Sequence, residues 1–176
     1  MAGIDLGLQL VVALVQIVVG IVFSMGSIYI ALRLFDKFTT GIDEWKEMKK
    51  GNKAVGILLA GIIISIALVV ESGVTNLTQG VQPNLGPEVL LIVFVIGLLN
   101  LLISVLAAVV SVYIAIRVLD WITTDVDEMA ELKKGNQAVA IMMFAVLVAV
   151  SFVIKGAVTK ITDIVNAIEI LKLVGA

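Results

Sequence analysis

Arg33-Leu-Phe-Asp36-Lys-Phe-Thr-Thr40-Gly-Ile-Asp43-Glu-Trp45-Lys-Glu-Met48-Lys-Lys-Gly51-Asn52 returns as Arg117-Val-Leu-Asp120-Trp-Ile-Thr-Thr124-Asp-Val-Asp127-Glu-Met129-Ala-Glu-Leu132-Lys-Lys-Gly135-Asn136, 84 residues later and without a gap. The match extends from Ser27–Leu77 onto Ser111–Ile161, and 21 of those 51 positions are identical. Each copy is a polar island between two long apolar runs. Runs of this length satisfy their backbone in lipid as helices, which places the islands at the membrane surface. The expected fold is an all-α integral membrane protein with four transmembrane helices, made from two direct repeats of two spans.

Composition agrees with that pattern. A 61% apolar content, a mean hydropathy of +1.18 and only 15% charged residues lie outside the range of soluble domains. The charges are gathered into the islands, so the apolar runs cross hydrocarbon without stranding an ion. The chain has no Cys and no His. That removes thiol chemistry, disulfides, most zinc and haem sites and the usual general base. A net charge of −2 excludes a broad nucleic-acid footprint.

Working outward from the first island, the apolar run before it begins near Leu6 and gives a span over about 6–35. Met1–Gly7 carries no Lys or Arg and shows no signal-peptide pattern. The run from Leu6 to Leu32 is 27 residues, or ~40 Å as a helix. That exceeds a hydrocarbon core of ~30 Å, so this helix is expected to tilt or project. Arg33 and Asp36, three apart, share a helix face where the chain leaves the apolar layer, and Arg117 and Asp120 repeat them. They read either as interfacial ion pairs that snorkel or as ion-handling pairs at a pore mouth.

Each island holds a short amphipathic helix, expected over 41–50 and 125–134. Thr40 and Thr124 are placed as N-caps, with Asp43 and Asp127 three residues on. Trp45 and Trp121 are the expected membrane-surface anchors. Gly51 and Gly135 sit where a left-handed residue ends a helix, and Asn52 and Asn136 where a cap opens the next. The second spans are expected over about 53–72 and 137–156, and the second repeat's long first span over about 88–119. Gly and Pro punctuate the stretch after Glu71, which is read as a linker between repeats. The repeats divide at 1–82 and 83–176. A C-terminal amphipathic helix over 157–173 is expected as an addition that the first repeat lacks.

Two spans per repeat return the chain to its starting side, so the halves run in the same direction about an axis along the membrane normal. Nine Lys and Arg lie on the island side and three on the other. Both islands are therefore expected in the cytoplasm and both termini outside. Glu71 and Lys155 occupy equivalent positions with opposite charge. A pseudo-twofold axis close by would let them pair across the repeats.

Inside the spans polar residues are few. Gln16 and Asn100 are equivalent and form the intramembrane polar pair. They read as a packing hydrogen bond or as a coordination site for a permeating ion or solute. No nucleophile with its base, metal-ligand cluster or phosphate loop is visible, so no enzyme activity and no cofactor is expected.

The Arg-x-x-Asp, Thr-Thr-x-x-Asp-Glu and Lys-Lys-Gly-Asn-x-Ala-Val elements resemble the YjfL-like prokaryotic membrane proteins, a family built from a tandem domain of unknown function (DUF350 type). The resemblance implies a small inner-membrane protein, often encoded beside membrane-stress or envelope-maintenance proteins. It implies no reaction and no catalytic residue. The expected function is that of a non-enzymatic, homo-oligomeric scaffold that shapes or reinforces the membrane, with bound lipids and partner proteins at or in it. The alternatives are a small channel or permease, or an accessory subunit of a larger membrane complex.

Overall fold

The computed structural model describes residues 6–38, 43–80, 86–124 and 126–164, and all of its regular structure is helical. The helices are α1 (Leu6–Phe38), α2 (Glu44–Lys49), α3 (Lys53–Gln79), α4 (Pro87–Ile122), α5 (Glu128–Lys133) and α6 (Gln137–Ile164). Four of them, α1, α3, α4 and α6, are long and apolar enough to cross a membrane. Pro87 opens α4 at its first turn, where its missing N–H costs nothing and its fixed φ suits the helix.

The long helices form a zigzag. α3 packs against α1, α4 and α6, and α4 packs against the same three neighbours of its own, α1, α3 and α6. Among the described residues α1 and α6 make at most a marginal contact. The result is a strip of two rows, α1 beside α4 and α3 beside α6. A pseudo-twofold would have set α1 on α6 just as α4 sits on α3, and the expectation of such an axis is corrected here. The repeats instead follow one another along the strip. Glu71 and Lys155 pair all the same, because equivalent helices are neighbours within a row.

The second span of repeat one runs to Gln79, past the expected end near 72. Val70, Val74 and Leu77 are buried at i, i+4 and i+7, so the core-facing stripe continues through what reads as a linker. Gly73 within it is a packing position: a Cβ there would lie 2.8 Å from Leu101 Cα and 2.9 Å from the Asn100 carbonyl oxygen. Thr78 returns its hydroxyl to the Val74 carbonyl at 3.0 Å, satisfying itself inside the helix. The matching extension in repeat two, 157–164, is a direct continuation of α6. It is no separate helix and no novelty of that repeat. Residues 165–173 of the expected C-terminal helix lie outside the described residues, as does most of the Gly80–Pro87 linker. The first spans are likewise longer than expected, reaching Phe38 and Ile122.

The core is a continuous layer of small and branched side chains. Val55, Ile62, Ile66 and Val69 of α3, Ala108 and Val112 of α4 and Leu147 of α6 are fully enclosed. α1 stays at the edge, with Ser27 and Ala31 as its buried contacts.

Candidate functional site

The polar turns after α2 and α5 are built on the same plan. Asp43 caps α2 by accepting from the Lys46 amide at 2.9 Å, and Asp127 caps α5 by accepting from the Ala130 amide at 2.9 Å. The caps are thus the aspartates, which corrects the placing of Thr124 in that role; Thr40 lies outside the described residues. The helices accordingly begin at Glu44 and Glu128, three residues later than expected, and end at Lys49 and Lys133. An Asp side chain three residues before the amide it caps needs no Glu partner, so the local signal was complete without the threonines.

Each short helix closes with a left-handed glycine, Gly51 at φ 80° and Gly135 at φ 82°. Gly51 N–H donates to the Met48 carbonyl at 2.9 Å and Asn52 N–H to the Glu47 carbonyl at 3.1 Å. Gly135 and Asn136 repeat this onto Leu132 and Glu131, both at 3.0 Å. That is the two-bond C-terminal motif in which a side chain on the glycine would be strained. The next residue starts the following helix. Asn52 Oδ1 accepts from the Ala54 and Val55 amides at 3.1 and 3.3 Å. Asn136 Oδ1 accepts from Ala138 and Val139 at 3.1 and 3.4 Å.

Charge completes each turn. Lys50 Nζ donates to Glu47 at 2.6 Å and Lys134 Nζ to Glu131 at 2.7 Å. The Lys50 hydrogen bond holds the Glu47 carboxyl below its ordinary pKa. Glu131 is lowered first by the Asn136 amide, which donates at 2.8 Å, and then by Lys134, whose own pKa is raised in return. Glu44 behaves oppositely: burial pushes its carboxyl up. Its counterpart Glu128 is buried, with Oε1 lacking a hydrogen-bond partner.

The two turns lie side by side. Asn52 Nδ2 donates to the Leu132 carbonyl at 2.8 Å, joining the repeats across 80 residues of sequence. Between them opens a groove of about 500 Å³, lined by Glu47, Lys50, Asn52, Lys53, Lys133 and Lys134 among others. Of its four lysines, Lys50 and Lys134 are paired with Glu47 and Glu131, while Lys53 and Lys133 add further positive charge to the lining. A groove of that composition at a membrane surface is suited to a phosphate-bearing lipid headgroup. Among the described residues no three acids gather that would hold a metal ion.

Arg33 Nε donates to the Tyr29 hydroxyl at 3.2 Å, and Arg117 Nε to Tyr113 at 3.0 Å, with each guanidinium carbon 5.3 Å from the ring centre. Arg117 also lies 3.8 Å from Asp120. Arg33 and Asp36 form no ion pair in the structure; they line, with Tyr29, Leu32 and Trp45, a hollow of about 310 Å³. The tyrosine sits four residues back on the same face in both repeats, and only Arg117 reaches its aspartate as well. Trp45 and Trp121 are both exposed.

Within the spans Asn100 is buried, and its Oδ1 has no hydrogen-bond partner. Gln16, half-buried on α1, therefore does not donate to it. The buried polar joints lie elsewhere. Ser111 and Ser151 hydroxyls meet at 2.8 Å between α4 and α6, and Ser72 meets Thr159 at 2.9 Å between α3 and α6. The Tyr-to-Arg spacing of four, identical in the two repeats, was the available signal for the arginine contacts; Ser151 and Ser72 stand opposite Ala67 and Gly156 in the repeat alignment, so the repeat gave no signal for the serine contacts.

The fold and these turns define a multi-pass, membrane-spanning helical protein. The chain belongs to the family described as "Domain of Unknown Function (DUF350)", whose model matches residues 6–105 and again 92–175. The first match runs through the α3–α4 contact into the second repeat. No curated protein and no solved structure matches the chain.

Proposed function

We propose that the protein is a non-enzymatic scaffold of the prokaryotic cytoplasmic membrane, of YjfL-like type, which associates with itself and holds anionic lipid headgroups at its paired turns. The observation that carries the reading is where the polar groups are spent. The Ser111–Ser151, Ser72–Thr159 and Glu71–Lys155 contacts tie one helix to the next. The space between α3 and α4 has no room even for a Cβ at Gly73. Polar groups used as joints in a close-packed bundle suit a structural element. A permeation path would line them along a wet lumen.

Both turns face the cytoplasm in this reading, where the leaflet is anionic and the nine basic residues of the island side find their counter-charge. Cysteines placed singly at Thr124 and Asn84 of the Cys-free chain test this: an impermeant reagent outside intact cells should label Asn84→Cys alone. The function itself is tested in liposomes. The purified protein should add no conductance or solute flux above lipid alone, and in nanodiscs it should have the mass of more than one chain. A unitary current abolished by Asn100→Leu would replace the scaffold with a channel.

A further inference from the structure

Among the described residues nothing covers the outer faces of α1 and α6, and these two faces correspond to faces that meet inside the chain. The face that α3 presents to α4 has its sequence equivalent on α6, and the face that α4 presents to α3 has its equivalent on α1. Inside the chain these faces are closed. Gly97 lies against α3 so tightly that a Cβ would stand 3.4 Å from Leu77 Cβ and 3.0 Å from its Cα. Gly73 meets Leu101 and Ser104 as closely. The equivalents on the outer helices have no such neighbour. Val69 is 0% exposed and its counterpart Val153 is 74% exposed; Leu101 is 7% exposed and its counterpart Ile17 is 57% exposed. Ala13 and Ala157, the counterparts of Gly97 and Gly73, are exposed and each carries a Cβ, so a partner there stands farther off than α4 does from α3.

We propose that the partner of these faces is a second copy of this chain, with α1 of one copy beside α6 of the next in the order in which α4 stands beside α3, at the wider spacing that the Ala13 and Ala157 methyls require. The inference rests on the self-associating reading above and specifies its surface. Two further observations carry it. The turns differ in the same sense: both asparagines turn back to the Glu of their own repeat, Asn52 to Glu47 at 3.5 Å and Asn136 to Glu131 at 2.8 Å, but among the described residues only Asn52 also reaches a neighbouring repeat, at the Leu132 carbonyl. The equivalent acceptor for Asn136 is the Met48 carbonyl of the next copy. Charge is complementary too. Along the α3–α6 row Glu71 is paired with Lys155, so the next copy would bring its Glu71 beside Lys155, and the signs alternate. Two repeats with the same charge at this position could not be extended this way. Such a contact is heterologous. It grows head to tail and ends only by closing into a ring.

Disulfide trapping tests the contact, using Ala13→Cys and Ile161→Cys in this Cys-free chain as the equivalents of Gly97 and Leu77. In the template these Cβ atoms would stand 3.4 Å apart, just under the roughly 3.5–4.5 Å of a disulfide, and the wider spacing between copies brings them into that range. Both sites are exposed, so the fold tolerates them. The two single variants, carrying different tags, are co-expressed at low level and oxidised in native membranes. The expected product is a dimer bearing both tags, and the double variant should give a ladder of multiples, since α1 and α6 of one chain make at most a marginal contact. Dimers of Ala13→Cys alone or of Ile161→Cys alone would mean a symmetric contact and overturn head-to-tail growth while leaving self-association standing. A multi-chain mass in nanodiscs without any cross-link at these sites would likewise overturn the proposed surface alone. A single-chain mass without cross-links would overturn both the surface and the self-associating scaffold.

Discussion

Asn52 donates to the Leu132 carbonyl across the repeats at 2.8 Å as well as to Glu47 of its own repeat at 3.5 Å, while among the described residues its counterpart Asn136 donates only to Glu131 of its own repeat, at 2.8 Å. Two residues with the same neighbours and the same capping role thus differ in one bond. Replacing either by Ala removes an N-cap, at about 0.5–2 kcal/mol. Asn52→Ala should cost about 0.5–1.5 kcal/mol more than Asn136→Ala, because it also leaves a half-buried junction between repeats unmade. Reversible unfolding in micelles measures the difference, and equal losses would show that the junction contributes nothing.

Gly73 and Gly56 make an opposed pair on one helix. A Cβ at Gly73 meets the backbone of α4, whereas a Cβ at Gly56 meets nothing within 4 Å. Gly73→Ala should force α3 and α4 apart at about 1–3 kcal/mol. Gly56→Ala should be neutral or stabilise by up to about 1 kcal/mol through helix propensity. Thermal unfolding of the two variants should move in opposite directions.

The Glu71–Lys155 pair lends itself to charge reversal. Its side chains are 56% and 30% exposed, so the coupling should be only about 0–1 kcal/mol. Glu71→Lys and Lys155→Glu should each loosen the protein in detergent and the double reversal should recover it. Simple addition of the two losses would remove the pair from the account.

Acid should weaken the turns. Glu47 and Glu131 titrate below their ordinary value of 4.5 in the folded chain. Their contribution is therefore complete above that value and is lost as pH falls through the lowered folded values. Protection of the Ala54, Val55, Ala138 and Val139 amides should fall in that window. The combined Glu47→Gln and Glu131→Gln variant should show a flatter profile. Glu44, raised by burial, works in the other direction, so the comparison with this variant isolates the turn acids.

The helices, their order and the turn chemistry were legible because each rests on a local signal: a long apolar run, a glycine with an Asn after it, basic residues at a helix end. The neighbours of each helix were not. The zigzag depends on which faces are flat enough to meet, as at Gly73 and Gly97, and a glycine in an apolar run reads equally as a breaker or as a contact. Hence the stretch after Glu71 looked like a linker and is the closest-packed part of α3. At Arg33 the sequence offered two partners at helical spacing, Asp36 and Tyr29, and only the geometry distinguishes them. Asn100 and Gln16 matched in register, yet their helices carry different burdens, one inside the strip and one at its edge.

The most enclosed span, α3, is made after α1 but before α4 and α6, its two larger contacts. Until α4 and α6 have left the ribosome, its small-residue faces meet only lipid and Glu71 stands without its cation. At about 5–20 residues per second, the 84 residues from Glu71 to Lys155 take about 4–17 s to synthesise. Over that interval the nascent first half is the form of the protein most open to membrane proteases and to capture by a completed neighbour.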